Sequence, residues 1–388
     1  MNTENYIMKN LDSQKTLREG LGTKNDPYRS ADGTAGIQAA LGNLADRGGL
    51  LSLDCGRYDI YKSVVFETPS LALDGGVWAC NTDPNGVFET DFGTKIRMRG
   101  TDYPALVMGR ERPCVSGAII RNLGIQGDIV GMDTRRIVDF DNIEAAAGLC
   151  FDSVRTDQCA FTKLSFCGLA TAVVATGDSE IDACIFEQIN ADGCGNGFWF
   201  APRASYYARI RSCIIADNPY YGIYVDGKGA QMHNLEILDS HFVRNGGCFS
   251  DAVPHKPAAV FLDGVSRCAV THCLFDDPGT FWYYDDSAKS NEERRPSHIK
   301  IPALRIVGNE NRIRDNTFRN SSADSITLEG NGNVLMNNIA DGNVRINGRG
   351  NTVAGLVFTK PAAKLILEGE ARDTTVILGV EEQRIVRN

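Results

Sequence analysis

Nowhere in these 388 residues do about 18 apolar positions follow one another, so no membrane-crossing helix is written into the chain. Its opening, Met1-Asn-Thr-Glu-Asn-Tyr, lacks the basic start and apolar middle of a secretory signal. Surplus positive charge is missing as well. Forty Lys and Arg against 49 Asp and Glu leave a net −9, which argues against nucleic acid or an anionic membrane as the partner. Twelve cysteines and five histidines contain no CxxC, HxH or HExxH, so neither a metal site nor a cofactor is expected. A P-loop, a GxSxG elbow and a dinucleotide fingerprint are also absent. These absences leave a globular, cytoplasmic protein without a metal or cofactor as the expectation.

Helical patterning is scarce too. Only the stretch from Asp32 to Asp46 carries it, with Ile37, Ala40, Leu41 and Leu44 at i, i+3, i+4 and i+7. It is opened by Asp32 or Thr34 and closed by Gly48-Gly49. A short helix is also expected near Ser13–Arg18. What is plentiful is short apolar alternation ending in turns, the period-2 mark of strands. Gly197-Phe-Trp-Phe-Ala, Gly222-Ile-Tyr-Val-Asp-Gly and Ala259-Val-Phe-Leu-Asp-Gly share one form. Several cysteines, among them Cys150, Cys184, Cys213 and Cys273, fall inside such runs and read as small packing residues.

The alternation repeats. Its first apolar residues are Leu149, Val173, Phe198, Ile223, Val260, Leu304, Ile326, Val344 and Leu365. Most steps are roughly 18–25 residues, and the two longer ones contain insertions. Turns recur as Gly308-Asn-Glu-Asn311, Gly330-Asn-Gly-Asn333 and Gly348-Arg-Gly-Asn351, residues that tolerate the left-handed backbone of a sharp corner. Leucine-rich repeats need an LxxLxLxxN signature that is missing, and a β-sandwich would not keep one register for so many units. The prediction is an all-β, right-handed parallel β-helix with an N-terminal capping helix. Residues 1–48 form the N-terminal segment and cap, 49–388 the solenoid, in a single domain. The helix covers strand edges that would otherwise stand open.

Asp32-Gly-Thr-Ala-Gly-Ile-Gln-Ala-Ala-Leu, then Gly48-Gly-Leu-Leu-Ser-Leu and Gly56-Arg-Tyr, resembles the opening of pectate-lyase-like parallel β-helix proteins. That resemblance implies the fold and leaves the activity open, since the superfamily holds lyases, hydrolases, transferases, epimerases and tailspikes. The coil order, with a long insertion before Leu304-Arg-Ile-Val-Gly-Asn, is also similar to the inulin fructotransferase and difructose-anhydride hydrolase family. This second likeness implies a homotrimer with sites between subunits. Where that family carries its acid pair, this chain reads Tyr220/Tyr221 and Gln231/Met232.

Stacking the repeats yields candidate residues. One outward column is Cys150, Val174, Trp199, Tyr224, Phe261, Arg305, Thr327 and Arg345. A second, two residues further along each strand, is Asp152, Thr176, Ala201, Asp226, Asp263, Val307, Glu329 and Asn347. Flat aromatics beside carboxylates and arginines suit sugars, which have apolar C–H faces and polar edges. Asp226 and Asp263, on neighbouring coils, would hold their carboxyls roughly 5 Å apart, the spacing of retaining glycosidases. A third column is Gln188, Asp217, Arg244, Asp277 and Asn320. Its Asp217 and Asp277 stand two coils apart, roughly at the upper limit of inverting geometry.

Against these readings stand ordinary ones. The aromatic column equally suits a subunit interface, Val-Asp-Gly and Leu-Asp-Gly are common strand-to-turn punctuation, and the third column equally suits a ladder of salt bridges. The insertion Phe281-Trp-Tyr-Tyr284 places Trp282 and Tyr283 as further substrate contacts, since exposed aromatics need a cover. Asp276/Asp277 and Asp285/Asp286 are oxygen-rich pairs of the kind that bind Ca²⁺, but such pairs are common in loops. The expected function is cleavage or rearrangement of a glycosidic bond of a short oligosaccharide. The alternatives are a polysaccharide lyase using Arg244, Arg305 or a lysine, and a non-catalytic glycan-binding β-helix.

Overall fold

The structure is a computed structural model that describes residues 5–8, 33–46, 48–78, 93–110, 113–127, 138–228, 231–248, 257–282, 296–377 and 384–387. The predicted short helix near Ser13–Arg18 lies outside them. Two compact units divide the chain, 1–195 and 196–388.

In the first unit the helix forms over Gly33–Leu44, and the four residues of its predicted stripe, Ile37, Ala40, Leu41 and Leu44, are all buried. It closes a strand edge through side chains. Gln38 donates from Nε2 to the Val65 carbonyl at 3.1 Å and accepts the Val65 amide at 2.8 Å, while Thr34 Oγ1 accepts the Tyr61 amide at 2.9 Å. The expected cap is thereby given a mechanism: two residues of the helix occupy backbone groups that another strand would otherwise pair with. A second cover came without warning from sequence. Asn5–Met8 adds in parallel to Gly49–Leu53, with Asn5 opposite Leu50.

Strands then stack in parallel, each residue of a repeat opposite its equivalent in the next. Leu149 lies between Leu106 and Val173, and Phe161 between Ile120 and Phe186. In the second unit the succession runs Phe198, Ile223, Val260, Leu304, Ile326, Val344, Leu365, Ile385. The architecture is the right-handed parallel β-helix, as the repeat predicts.

Inward residues fill each unit in like-on-like stacks. Phe242, Phe275 and Phe318 lie one above another, with centroids 4.9 and 4.7 Å apart and planes within 17° and 10°. Corners are held by buried asparagines. Asn311 Nδ2 donates to Asn333 Oδ1 at 3.1 Å, and Asn333 Nδ2 to Asn351 Oδ1 at 3.2 Å. A second ladder joins Asn316 to Asn338 at 3.0 Å. Each Asn oxygen also takes a backbone amide of the preceding coil, so a buried corner keeps no orphan donor there. Cysteines continue these ladders as the small packing residues expected of them. The Cys268 and Cys273 amides bond to Asn311 and Asn316 at 2.9 Å each. Cys150, Cys184, Cys213 and Cys273 are all buried free thiols.

Candidate active site

The first predicted column is present in the second unit. Trp199, Tyr224, Phe261, Arg305, Thr327 and Arg345 are consecutive partners across parallel strands. Its environment differs from an open sugar platform. Trp199 is 5% exposed, Tyr224 1% and Phe261 2%. Trp199 and Tyr224 pack with centroids 4.3 Å apart, and Tyr221, fully buried, touches both at 5.9 and 4.9 Å. Arg305 lies over the Phe261 ring at 5.4 Å and pairs with Glu329. Tyr221, which stands where the resembled family has an acid, is therefore part of this aromatic packing. Burial pushes its hydroxyl well above the usual tyrosine range, with the Arg305 charge working against that.

Beside the aromatics, Asp226 stands opposite Asp263 in register, one strand spacing apart, about 4.8 Å between backbones. Their surroundings differ. Asp226 is half-buried, accepting the Tyr224 hydroxyl at 3.3 Å and the Lys228 amide at 3.0 Å. Asp263 is 3% exposed, with Lys228 Nζ 2.5 Å from Oδ2 and its buried Oδ1 unpartnered among the described residues. Lys228 thus touches both acids, one through its backbone and one through its side chain. The Asp263 bond, against the weaker pull of desolvation, raises the Lys228 ammonium above the usual lysine value. Burial first, and then the Asp226 charge, push the Tyr224 hydroxyl upward.

Immediately past Asp263 the wall opens into a cavity of about 470 Å³ lined by Gly264–Ser266, Val307–Asn309, Glu329 and Gly330. Its glycines are required. A Cβ on Gly308 would lie 1.9 Å from the Val265 carbonyl oxygen, and one on Gly330 2.0 Å from that of Gly308. The acid pair, the Arg305–Glu329 pair and the cavity therefore follow one another along adjacent strands.

The third column forms with different chemistry. Asp217, Arg244, Asp277 and Asn320 all have left-handed backbones, φ 52°, 50°, 54° and 53°. Arg244 grips Asp217 with two bonds of 2.6 Å, Nε to Oδ1 and Nη2 to Oδ2. Asp277 accepts the Thr280 hydroxyl at 2.7 Å, and Thr280 meets His298 Nδ1 at 2.8 Å. Both carboxylates are thus engaged in shaping corners. Thr280–Trp282 pairs antiparallel with Pro296–His298, placing Trp282 opposite Pro296 at the base of the long insertion. Tyr283, Asp285 and Asp286 lie outside the described residues. Asp276 accepts Asn320 at 2.8 Å.

Lys228 was not singled out from sequence. The signal for Lys228 was its place two residues after Asp226 in a glycine turn, where its amide bonds back to that carboxylate. A further acid escaped notice in the first unit. Glu144 accepts the Thr176 hydroxyl, and burial followed by the Glu144 charge pushes the Asp152 carboxyl above its usual range, opposed by Arg110 3.5 Å away. Among the described residues no group of three or more metal-ligating side chains assembles, and no helix is long and apolar enough to cross a membrane.

No protein-family description matches the chain, and neither does any curated protein. Solved structures do. DFA-IIIase from Arthrobacter chlorophenolicus A6 in complex with GF2 is 14% identical, with a TM-score of 0.60 over 92% of this chain and 93% of that one. The same enzyme without its lid, also with GF2, gives 0.61 at 13% identity over 99% of each. ORF18 of Geobacillus virus E2 gives 0.56 at 14% identity over 84% of this chain, which spans only 58% of that protein. At these identities the likeness establishes the fold, a right-handed parallel β-helix of the architecture that DFA-IIIase also has.

Proposed function

We propose that this protein cleaves or rearranges a glycosidic bond of a short oligosaccharide, with Asp226 and Asp263 as the reacting pair. The observation that carries the reading is their register. Two carboxylates face each other on adjacent strands, joined by Lys228, at the head of a glycine-lined cavity. About 5 Å is the separation at which one carboxylate attacks the anomeric carbon while the other protonates the departing oxygen. Asp263, paired with an ammonium, is assigned the nucleophile; its other oxygen, buried and without a partner among the described residues, is the one left for the attack. Asp226, more open and bonded to the Tyr224 hydroxyl, suits the proton donor. Support also comes from the shared fold, since DFA-IIIase was captured with GF2 and with DFA-III. A homotrimer is the assembly that accompanies this reading.

The lyase alternative asks Arg244, Arg305 or a lysine to receive a uronate, and both guanidiniums already hold carboxylates. The non-catalytic alternative draws on the likeness to the viral ORF18. One assay separates the three. The protein is incubated with GF2, DFA-III and a panel of neutral and uronic-acid glycans, and reducing ends and ultraviolet absorbance are followed. New reducing ends, or a rearranged sugar, without ultraviolet absorbance are expected. An unsaturated product indicates lysis, and binding without turnover removes the catalytic reading.

A further inference from the structure

One wall of the same cavity carries a pair that glycosidic cleavage does not use. Ser266 lines that wall, and its Oγ is hydrogen-bonded to His233 Nδ1. Register builds the pair: Met232 stands opposite Val265 and His233 opposite Ser266 on parallel strands. On the other side of His233 its register partner is Tyr206, whose ring lies 6.1 Å from the imidazole at 37°. The imidazole is therefore set between a hydroxyl and an aromatic ring, which limits its rotation. A serine hydroxyl in contact with an imidazole nitrogen is the minimal form of an activated nucleophile. Next to it, Gly264 is the extra residue of a bulge, where the register passes from Asp263–Val307 to Val265–Gly308. Its left-handed φ of 69° favours glycine, and bulges of this kind re-aim groups beside sites.

We infer that Ser266 and His233 act as nucleophile and base in cleaving an acyl ester carried on a hydroxylated substrate. That the alcohol half is a sugar rests on the proposed function, whereas the acyl transfer does not. Ser266 Oγ bonds to the carbonyl carbon while its proton passes to His233 Nδ1. The ester C–O bond then breaks, the imidazolium gives that proton to the departing alkoxide, and acyl-Ser266 remains. Water attacks the acyl carbon as His233 takes one of its protons. The bond to Ser266 Oγ breaks, the proton returns to that oxygen, and the carboxylic acid leaves.

The test uses the full chain and a fluorophosphonate probe, which bonds to activated serines, followed by digestion and mass spectrometry. The expected result is an adduct on Ser266 that also blocks hydrolysis of p-nitrophenyl acetate. In H233Q the labelling rate should fall by about a hundredfold or more, the scale of a lost general base. Since H233Q also removes a contact between strands, its fold is checked by circular dichroism, and the unmodified chain remains the decisive sample. Ser266 left unlabelled in the folded wild-type protein overturns the inference, and so does folded H233Q labelled at the wild-type rate. Neither readout uses a glycan, so the outcome is independent of whether the glycosidic reading survives.

Discussion

Two columns of acids in the second unit look alike in sequence and are treated oppositely by the fold. At the corner, Asp217 and Asp277 have left-handed backbones, and their carboxylates are taken up by Arg244 and Thr280. At the strand end, Asp226 and Asp263 face each other without an arginine between them, and one Asp263 oxygen is buried with no partner among the described residues. Burial alone does not make the difference. Asp341 is 7% exposed, yet it is saturated by Lys360 at 2.8 Å and by the Ser321 amide at 3.2 Å to each oxygen. A structural acid has its lone pairs filled, and a buried acid left short of partners is a candidate for function, which is the place the proposed reaction gives Asp263.

Substitution should widen that contrast. Asp226→Asn and Asp263→Asn should each lower turnover by about a hundred- to ten-thousand-fold with little change in melting temperature, the scale of a lost acid or nucleophile. Phe275→Ala should do the reverse. Removing the middle ring of the Phe242–Phe275–Phe318 stack should cost about 3–5 kcal/mol in chemical denaturation, with turnover per folded molecule kept. Asn333→Ala leaves buried corner amides unpaired and should cost about 1–3 kcal/mol by the same measurement.

The pH dependence of stability tests the saturated acid. Burial works against ionisation of Asp341, but the bonds from Lys360 and Ser321 outweigh it and hold the carboxyl below its usual range. A lowered folded value contributes stability above the unfolded value of about 3.9, and that contribution is lost as pH falls through the folded value. Denaturation midpoints from about pH 5 downward should therefore fall less steeply in Asp341→Asn than in wild type. Smallest of all, Asp217→Asn should cost about 1 kcal/mol or less, because the ion pair is half open and asparagine accepts a left-handed backbone.

The solenoid was legible because its repeat fixes register, and register fixes which residues share a column. Phe198, Ile223 and Val260 read as equivalent from spacing, and they are direct partners across strands. What the repeat does not encode is cover. Alternation marks Trp199, Tyr224 and Phe261 as outward, yet Tyr221, which precedes its strand, packs against Trp199 and Tyr224, and no periodicity announces a side chain that folds in from outside a strand. The same limit hid Lys228. Its role depends on a four-carbon arm reaching from the turn to Asp263, a contact set by rotamer and not by spacing. Corner columns are ambiguous for a related reason. Asp217, Arg244 and Asp277 recur with the coil, so they align as well as any site would, and only the φ angles reveal that they stand at a left-handed corner.

The most direct measurement is turnover of the glycan that the wild type cleaves, by wild type, Asp263→Asn and Asp217→Asn under one condition, with each fold verified. Activity in wild type and Asp217→Asn within about threefold of each other, beside a loss of about a hundredfold or more in Asp263→Asn, is the predicted result. Turnover that survives in Asp263→Asn and collapses in Asp217→Asn would place the chemistry at the corner and contradict the account.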